Sequence, residues 1–167
     1  MVERAHPLAT LAAASRDCAA VQLYALPDAT RLIIRGTPSG LALPETMRVV
    51  VTDDRALLWL GPDEFLLLAS NAVMLDAGVN AAVVDVSHRN TALGVSGPCA
   101  AWAINAFCPL DLHLSAFPVG MCTRTVFGKS EIVLWRKAED AFHIDVARSF
   151  APYVWACLEE ARREFCD

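Results

Sequence analysis

Short runs of apolar residues, separated by turn-forming residues, recur along this chain and predict a protein rich in β-strands. The runs are five or six residues long, and most are bounded by glycine, proline, asparagine or aspartate. Tight turns at residues 61–64 and 128–130 join two pairs of runs into predicted hairpins. The predicted strands are residues 21–26, 31–35, 56–60, 65–69, 81–86, 91–95, 122–127, 131–136 and 142–146.

The last of these strands alternates strictly between apolar and polar residues. Phe142, Ile144 and Val146 alternate with His143 and Asp145. This period of two is typical of a half-buried strand, so we expect His143 and Asp145 to face the solvent.

Three segments are predicted to be helical. Residues 71–77 begin at Asn71, a good helix cap, and stop at Gly78. Residues 98–107 begin with proline and are apolar on nearly every side, so the helix that they form must be covered all round. The last helix starts near Ser149, and its apolar positions recur at helical spacing: Val154, Leu158, Ala161 and Phe165.

Strands that pair locally, with helices laid on one face, indicate an α+β fold. We expect ferredoxin-like β-α-β-β units. The order strand, helix, strand occurs twice, with a division near Val86. The chain is therefore expected to be one domain over residues 1–167, with two ferredoxin-like halves at about residues 18–86 and 87–167.

Composition and charge exclude several classes of protein. Of the 167 residues, 55% are hydrophobic and 20% are charged, which is too apolar for a disordered chain. The formal net charge is -5 and no run of Lys or Arg occurs, so we do not expect a nucleic-acid partner. Residues 91–110 lack charge, but glycine and proline interrupt them, so we expect no membrane span.

The six cysteines show neither a C-x-x-C pair nor any zinc-like spacing, so we expect no metal site. The first twenty residues are a poor match to a signal peptide. We therefore expect a cytoplasmic protein whose cysteines are reduced thiols that serve as small buried apolar residues.

Few residues are candidates for catalysis or ligand binding. The chain has no glycine-rich phosphate loop and no nucleophile motif, so no catalytic residue is predicted. His88 lies in a turn between two predicted strands, where functional residues are often found. Asp111 is the single charged residue between Arg89 and Arg124. It either bonds backbone N–H groups of its own loop, which we favour, or belongs to a ligand site.

Several strings resemble a known superfamily. Residues 85–89 (DVSHR) and 94–98 (GVSGP) look like a stretch of the folate-binding aminomethyltransferases, the glycine-cleavage T-protein superfamily. Within it, the chain most resembles the gamma subunits of heterotetrameric sarcosine oxidases. The strings that carry this second resemblance are LGPDEFLL at 60–67, PLDL at 109–112, RT at 124–125, VLWR at 133–136 and RSF at 148–150.

The resemblance implies a complex of alpha, beta, gamma and delta subunits that oxidatively demethylates sarcosine. Its products are glycine, hydrogen peroxide, and formaldehyde or 5,10-methylenetetrahydrofolate. The resemblance places FAD, FMN and NAD on alpha and beta and zinc on delta, and it gives gamma a non-catalytic role in assembly.

The resemblance also suggests where a ligand would bind. In aminomethyltransferases a folate-side aspartate follows the helix that matches residues 98–107, so Asp111 is a candidate for contact with tetrahydrofolate. His88, within the DVSHR string, is a second candidate cofactor-binding residue. The alternative function is a standalone folate- or pterin-binding protein.

Residues 90–123 concentrate the apolar excess, because Asp111 is their single charge. Part of this region must be core, and the rest is expected to be a partner surface. In isolation, we expect the chain either to cover that surface with a second copy, as a homo-oligomer, or to leave it exposed.

Overall fold

The computed structural model describes residues 6–166, which form three α-helices and ten β-strands. The helices are α1 (Ala9–Ala14), α2 (Ala100–Asn105) and α3 (Ala151–Arg162), and a 3-10 turn (Arg163–Phe165) follows α3. The strands are β1 (Gln22–Ala25), β2 (Thr30–Gly36), β3 (Val49–Thr52), β4 (Arg55–Gly61), β5 (Glu64–Ala69), β6 (Ala81–Asp85), β7 (Asn90–Ser96), β8 (Cys122–Phe127), β9 (Ser130–Ala138) and β10 (Ala141–Ala147).

The strands form two five-stranded sheets in which all neighbours are antiparallel. Sheet 1 has the order β1-β7-β10-β9-β8, and sheet 2 has the order β3-β4-β5-β2-β6. Sheet 2 uses strands from residues 30–85, whereas sheet 1 combines β1 with strands from residues 90–147. The predicted α+β class is confirmed, and the division into two halves stays a prediction.

Both predicted hairpins are present. β4 and β5 turn at residues 61–64, and β8 and β9 turn at Gly128. Gly128 has a φ of 56°, a left-handed conformation that glycine adopts without steric cost. Each hairpin contributes buried apolar side chains from both of its strands to the core.

Sheet 1 lies between two apolar layers. On one side, α3 buries Val154, Trp155 and Leu158 in the largest apolar cluster. On the other side, a second cluster joins sheet 1 to sheet 2: Cys122, Val133 and Trp135 from sheet 1, with Ala56, Leu58, Leu66 and Leu68 from sheet 2. Burying one large aliphatic or aromatic side chain contributes about 1.5–3 kcal/mol, so these layers dominate the stability of the fold.

The double cover of sheet 1 corrects the prediction for the last strand. His143 and Asp145 are buried, with 8% and 1% of their surface exposed, although the alternation predicted that both would face the solvent. Every residue from Phe142 to Val146 is buried. Period-two alternation marks one apolar face, but it does not show that the polar face is covered by a second sheet.

The predicted helix at residues 71–77 is also wrong. The segment is irregular, and Val73 and Leu75 pack on the outer face of sheet 2 while Met74 is fully exposed. This alternation is that of an extended chain, and a tertiary contact outweighs the helix-capping signal of Asn71. The β-α-β-β order occurs in β7, α2, β8 and β9, whereas no helix lies between β2 and β6 in the described chain.

The prediction that all cysteines are reduced is contradicted at two positions. Cys18 and Cys166 form a disulfide with a Cα–Cα distance of 5.5 Å and a separation of 148 residues. It ties the segment before β1 to the segment after the 3-10 turn. The remaining cysteines, Cys99, Cys108, Cys122 and Cys157, are free thiols.

Within residues 6–166, no helix is both long and apolar enough to cross a membrane. The uncharged stretch at residues 91–110 consists of β7, α2 and the connections around them.

Candidate functional site

A buried ion pair joins the two sheets. Arg31 on β2 donates from Nε to Oδ2 of Asp145 on β10 at 2.6 Å. The two side chains are 1% and 0% exposed. Because β2 belongs to sheet 2 and β10 to sheet 1, the pair crosses the space between the sheets and fixes how they face each other.

Further hydrogen bonds satisfy both partners. Asn90 donates from Nδ2 to Asp145 Oδ1 at 2.7 Å, and Arg31 Nη1 donates to the carbonyl of Ala29 at 3.1 Å. Burial by itself raises the pKa of Asp145, but His143 and the guanidinium of Arg31 outweigh that effect and hold the pKa below its usual value. The carboxylate is therefore ionised at neutral pH.

An open cavity of about 370 Å³, here called the inter-sheet cavity, lies beside the ion pair. On one wall, the rings of His143 and Trp135 are 5.8 Å apart, and Lys137 Nζ is 5.3 Å from the Trp135 ring centre. Asp53 and Asp54 lie on the opposite wall. His143 Nε2 is buried, lies 3.9 Å from Asp145 Oδ2, and has no hydrogen-bond partner among residues 6–166. An aromatic ring with charged neighbours suits a flat polar ligand.

Asp111 lines a different cavity, also of about 370 Å³. We call it the Trp102 cavity, and its polar lining includes Trp102, Arg136, Glu139 and Asp140. Asp111 is exposed, and its Oδ1 accepts the N–H of His113 at 2.8 Å. The carboxylate thus makes the bond to its own loop that the sequence favoured, and the residue also lines the cavity.

Arg136 lies beneath the Trp102 cavity with only 2% of its surface exposed. Its Nη2 donates to the carbonyl of Leu112 at 2.7 Å, and its guanidinium lies 4.6 Å from the Phe142 ring centre. Nε has no hydrogen-bond partner among the described residues. Burial lowers the pKa of Arg136, and the charges of Asp140 and Glu139 partly restore it.

His88 lies apart from both the inter-sheet cavity and the Trp102 cavity. It is exposed in the turn between β6 and β7, and it lines a small surface pocket with Asp28, Ser87 and Arg148. Ser87 links this turn to the ion pair, because its Oγ accepts the backbone N–H of Arg31 at 2.9 Å. The structure therefore does not bring Asp111 and His88 into one site, and their ligand roles stay predictions.

Two of the strings singled out in the sequence meet at the surface. Glu64, from the LGPDEFLL string, accepts hydrogen bonds from Arg124 at 2.5 Å and from Arg35 at 3.0 Å. The hydrogen bond from Arg124 is the main reason that the pKa of Glu64 is lowered. Since Arg124 is on β8 and Glu64 is on β5, this network is a second bridge between the sheets.

Comparison with known proteins identifies the family. The model of the sarcosine oxidase gamma subunit family matches residues 34–164. The chain belongs to this family. A sarcosine oxidase subunit gamma from Corynebacterium sp. (strain P-1) is 33% identical over 96% of this chain and 89% of that relative. One from strain U-96 is 34% identical over 86% of this chain and 74% of that relative.

Solved structures agree with this assignment. A chain of the heterotetrameric sarcosine oxidase from Corynebacterium sp. U-96, in complex with pyrrole 2-carboxylate, matches 97% of this chain. The match covers 96% of that chain, with a TM-score of 0.87 and 32% identity. A glycine cleavage system aminomethyltransferase from Bartonella henselae shares the fold, with a TM-score of 0.62 and 16% identity over 84% of this chain and 46% of that one.

Sequence reasoning missed the buried charges of this family member. Asp145 lies between the apolar Ile144 and Val146, whereas Arg31 directly precedes an apolar run and Arg136 directly follows one. A charge beside apolar residues that become buried needs a partner from another element, and this is the signal that could have found them. The partners could not be named from the sequence, because Arg31 and Asp145 are 114 residues apart.

Proposed function

We propose that this chain is the gamma subunit of a heterotetrameric sarcosine oxidase and that it supports assembly without carrying the reaction. One observation carries the proposal: the match to a chain of that solved complex spans nearly the full length of both chains. The partners would be alpha, beta and delta subunits. The complex would convert sarcosine to glycine, hydrogen peroxide, and formaldehyde or 5,10-methylenetetrahydrofolate.

The geometry supports a structural role. The ion pair of Arg31 with Asp145 and the Glu64 network both join sheet 1 to sheet 2, so the chain is a rigid body suited to hold other subunits in fixed positions. We assign FAD, FMN, NAD and zinc to the other subunits. In the part of the chain that the structure describes, no cluster of three His, Cys, Asp or Glu side chains could hold a metal ion.

Tetrahydrofolate is the ligand that this chain itself would bind. The inter-sheet cavity, with Trp135 and His143 on its wall, has the better lining, because it offers an aromatic surface for a flat ring. A standalone folate-binding protein is not favoured, because the relatives are named as subunits of an oxidase. Calorimetric titration of the purified chain with tetrahydrofolate tests this point separately.

A cytoplasmic location is part of the proposal. The four free cysteines are consistent with a reducing compartment, although the Cys18–Cys166 disulfide is not typical of one. Fractionation of the producing cells, with detection of this chain by antibody, tests the location directly.

Co-expression tests the assembly role. The four subunits together should give a yellow complex that produces peroxide from sarcosine, and the isolated chain should show neither flavin absorbance nor oxidase activity. Omission of this chain should leave the other subunits incompletely assembled. A stable and fully active complex that forms without it would contradict the proposal, as would oxidase activity of the isolated chain.

A further inference from the structure

We propose that the Trp102 cavity is a docking site for a Lys or Arg side chain on a loop of another subunit. This inference rests on the proposed function, because it assumes that the chain has partner subunits. It identifies the part of the surface that one of them contacts and the chemistry of the contact.

Trp102 is the largest exposed side chain of α2, a helix in which Asn105 is also exposed. Ala100, Ala103 and Ile104 of α2 are completely buried, whereas 71% of the Trp102 surface is exposed. The expectation that this helix is covered on every side is therefore wrong at Trp102. Leu114, on the loop that follows, is 41% exposed and lines the same cavity. Tryptophan is among the residues that contribute most strongly to protein–protein binding.

The charges around Trp102 determine what it can bind. Three carboxylates line the cavity: Asp111, Glu139 and Asp140. All three residues are exposed, and the opposing charge of Arg136 is buried beneath them. Apart from Arg136, no Lys or Arg is among the lining residues that the structure describes. The mouth of the cavity is thus negative and carries a large aromatic ring.

A basic side chain satisfies both features. A guanidinium or ammonium group over an indole ring gains a cation–π interaction, and carboxylates beside the ring add charge-assisted hydrogen bonds. The loop that carries such a side chain also supplies main-chain carbonyl groups. One of these is a suitable acceptor for Arg136 Nε, which has no partner within the described chain.

The same charges disfavour a second copy of this chain. A symmetric dimer through the Trp102 cavity would bring two sets of three carboxylates together, with one Arg136 in each copy to oppose them. Like charges that face each other across an interface oppose association. The occupant is therefore a basic loop from a different subunit.

The test uses the assembled four-subunit complex, and it measures release of this chain on dilution by mass photometry at several NaCl concentrations. Trp102→Ala should raise the apparent Kd of this chain for the other subunits about tenfold or more. Trp102→Phe should retain most of the affinity, because it keeps an aromatic ring. The triple change Asp111→Asn, Glu139→Gln and Asp140→Asn should weaken binding and flatten its dependence on salt.

Matched controls distinguish a role of the Trp102 cavity from a general effect of removing an apolar side chain or negative charge. Met74→Ala removes a large apolar side chain that is fully exposed elsewhere, and it should leave the affinity unchanged. The triple change Asp17→Asn, Glu45→Gln and Asp76→Asn alters net charge equally at other exposed positions and should leave the salt dependence unchanged. Thermal melts of the isolated variants should match those of the unaltered chain.

Each outcome bears on a different claim. Failure of the unaltered chain to assemble contradicts the proposed function. Assembly in which the Trp102 variants and their controls bind equally well overturns the docking site. Weakening by Trp102→Ala alone, with no effect of the charge changes, overturns the basic occupant. Dimerisation of the isolated chain that depends on Trp102 would show that a second copy is the occupant.

Discussion

The free energy of unfolding should depend strongly on the buried ion pair between Arg31 and Asp145. Asp145→Asn keeps the shape of the side chain and its bond from Asn90, but it removes the negative charge that faces Arg31. The positive charge of Arg31 then stays in a site where 1% of the side chain is exposed. An uncompensated buried charge of this kind costs about 3–5 kcal/mol.

In a domain of this size, each kcal/mol lowers the melting temperature by about 2–4 °C. The variant should therefore melt roughly 6–20 °C below the unaltered chain at pH 7. Differential scanning calorimetry measures the shift, and urea denaturation at 25 °C gives the free energy of unfolding independently.

The surface of the same protein offers a matched control. Arg35 and Asp63 form an ion pair at 3.3 Å, with the two side chains 55% and 67% exposed. Asp63→Asn makes the same chemical change there, and it should cost less than about 1 kcal/mol because water screens the pair. The double change Arg31→Met and Asp145→Leu removes both buried charges and should recover most of the lost stability. Equal effects of Asp145→Asn and Asp63→Asn would refute the reasoning.

Three further results are expected. The folded-state pKa of Asp145 lies below its unfolded value. Its stabilising effect is therefore complete above the unfolded pKa and disappears as the pH falls through the folded pKa. In acid denaturation below about pH 5, the unaltered chain should lose stability more steeply than Asp145→Asn. Thiol titration of the denatured, unreduced chain should detect four of six cysteines, and Cys18→Ser should lower the free energy of unfolding by about 2–5 kcal/mol. Leu58→Ala empties a fully buried site between the sheets and should cost about 2–5 kcal/mol by urea denaturation, whereas Val51→Ala, at a site 62% exposed, should cost far less.

Local signals were sufficient for much of the fold. The β4–β5 hairpin and α3 were predicted within one or two residues at most ends, because their apolar spacing and turn residues act over short distances. β3 and α1 were missed. β3 is only four residues long, and two of them are exposed. α1 is six residues long and five of them are apolar, so no contrast between an apolar and a polar face marks it as a helix.

The missed site features depend on distant parts of the chain. The sequence showed the unusual position of Asp111, and the structure confirms that it bonds its own loop. The sequence could not show that sheet 2 covers His143 and Asp145, because no local pattern records which face a second sheet will meet. The same limit applies to Cys18 and Cys166, whose pairing depends on where the two ends of the fold lie.

The apolar excess of residues 90–123 is divided between the core and the surface. Much of that segment is core: Leu93 and Val95 of β7 and Ile104 of α2 are completely buried. The core does not account for Trp102, which could point inward only if α2 turned its buried alanines outward. A helix that buries its small residues and exposes its largest aromatic one keeps an apolar surface at the cost of solubility. The three carboxylates beside Trp102 offset that cost in the free chain, and they leave a surface that a basic partner loop would cover.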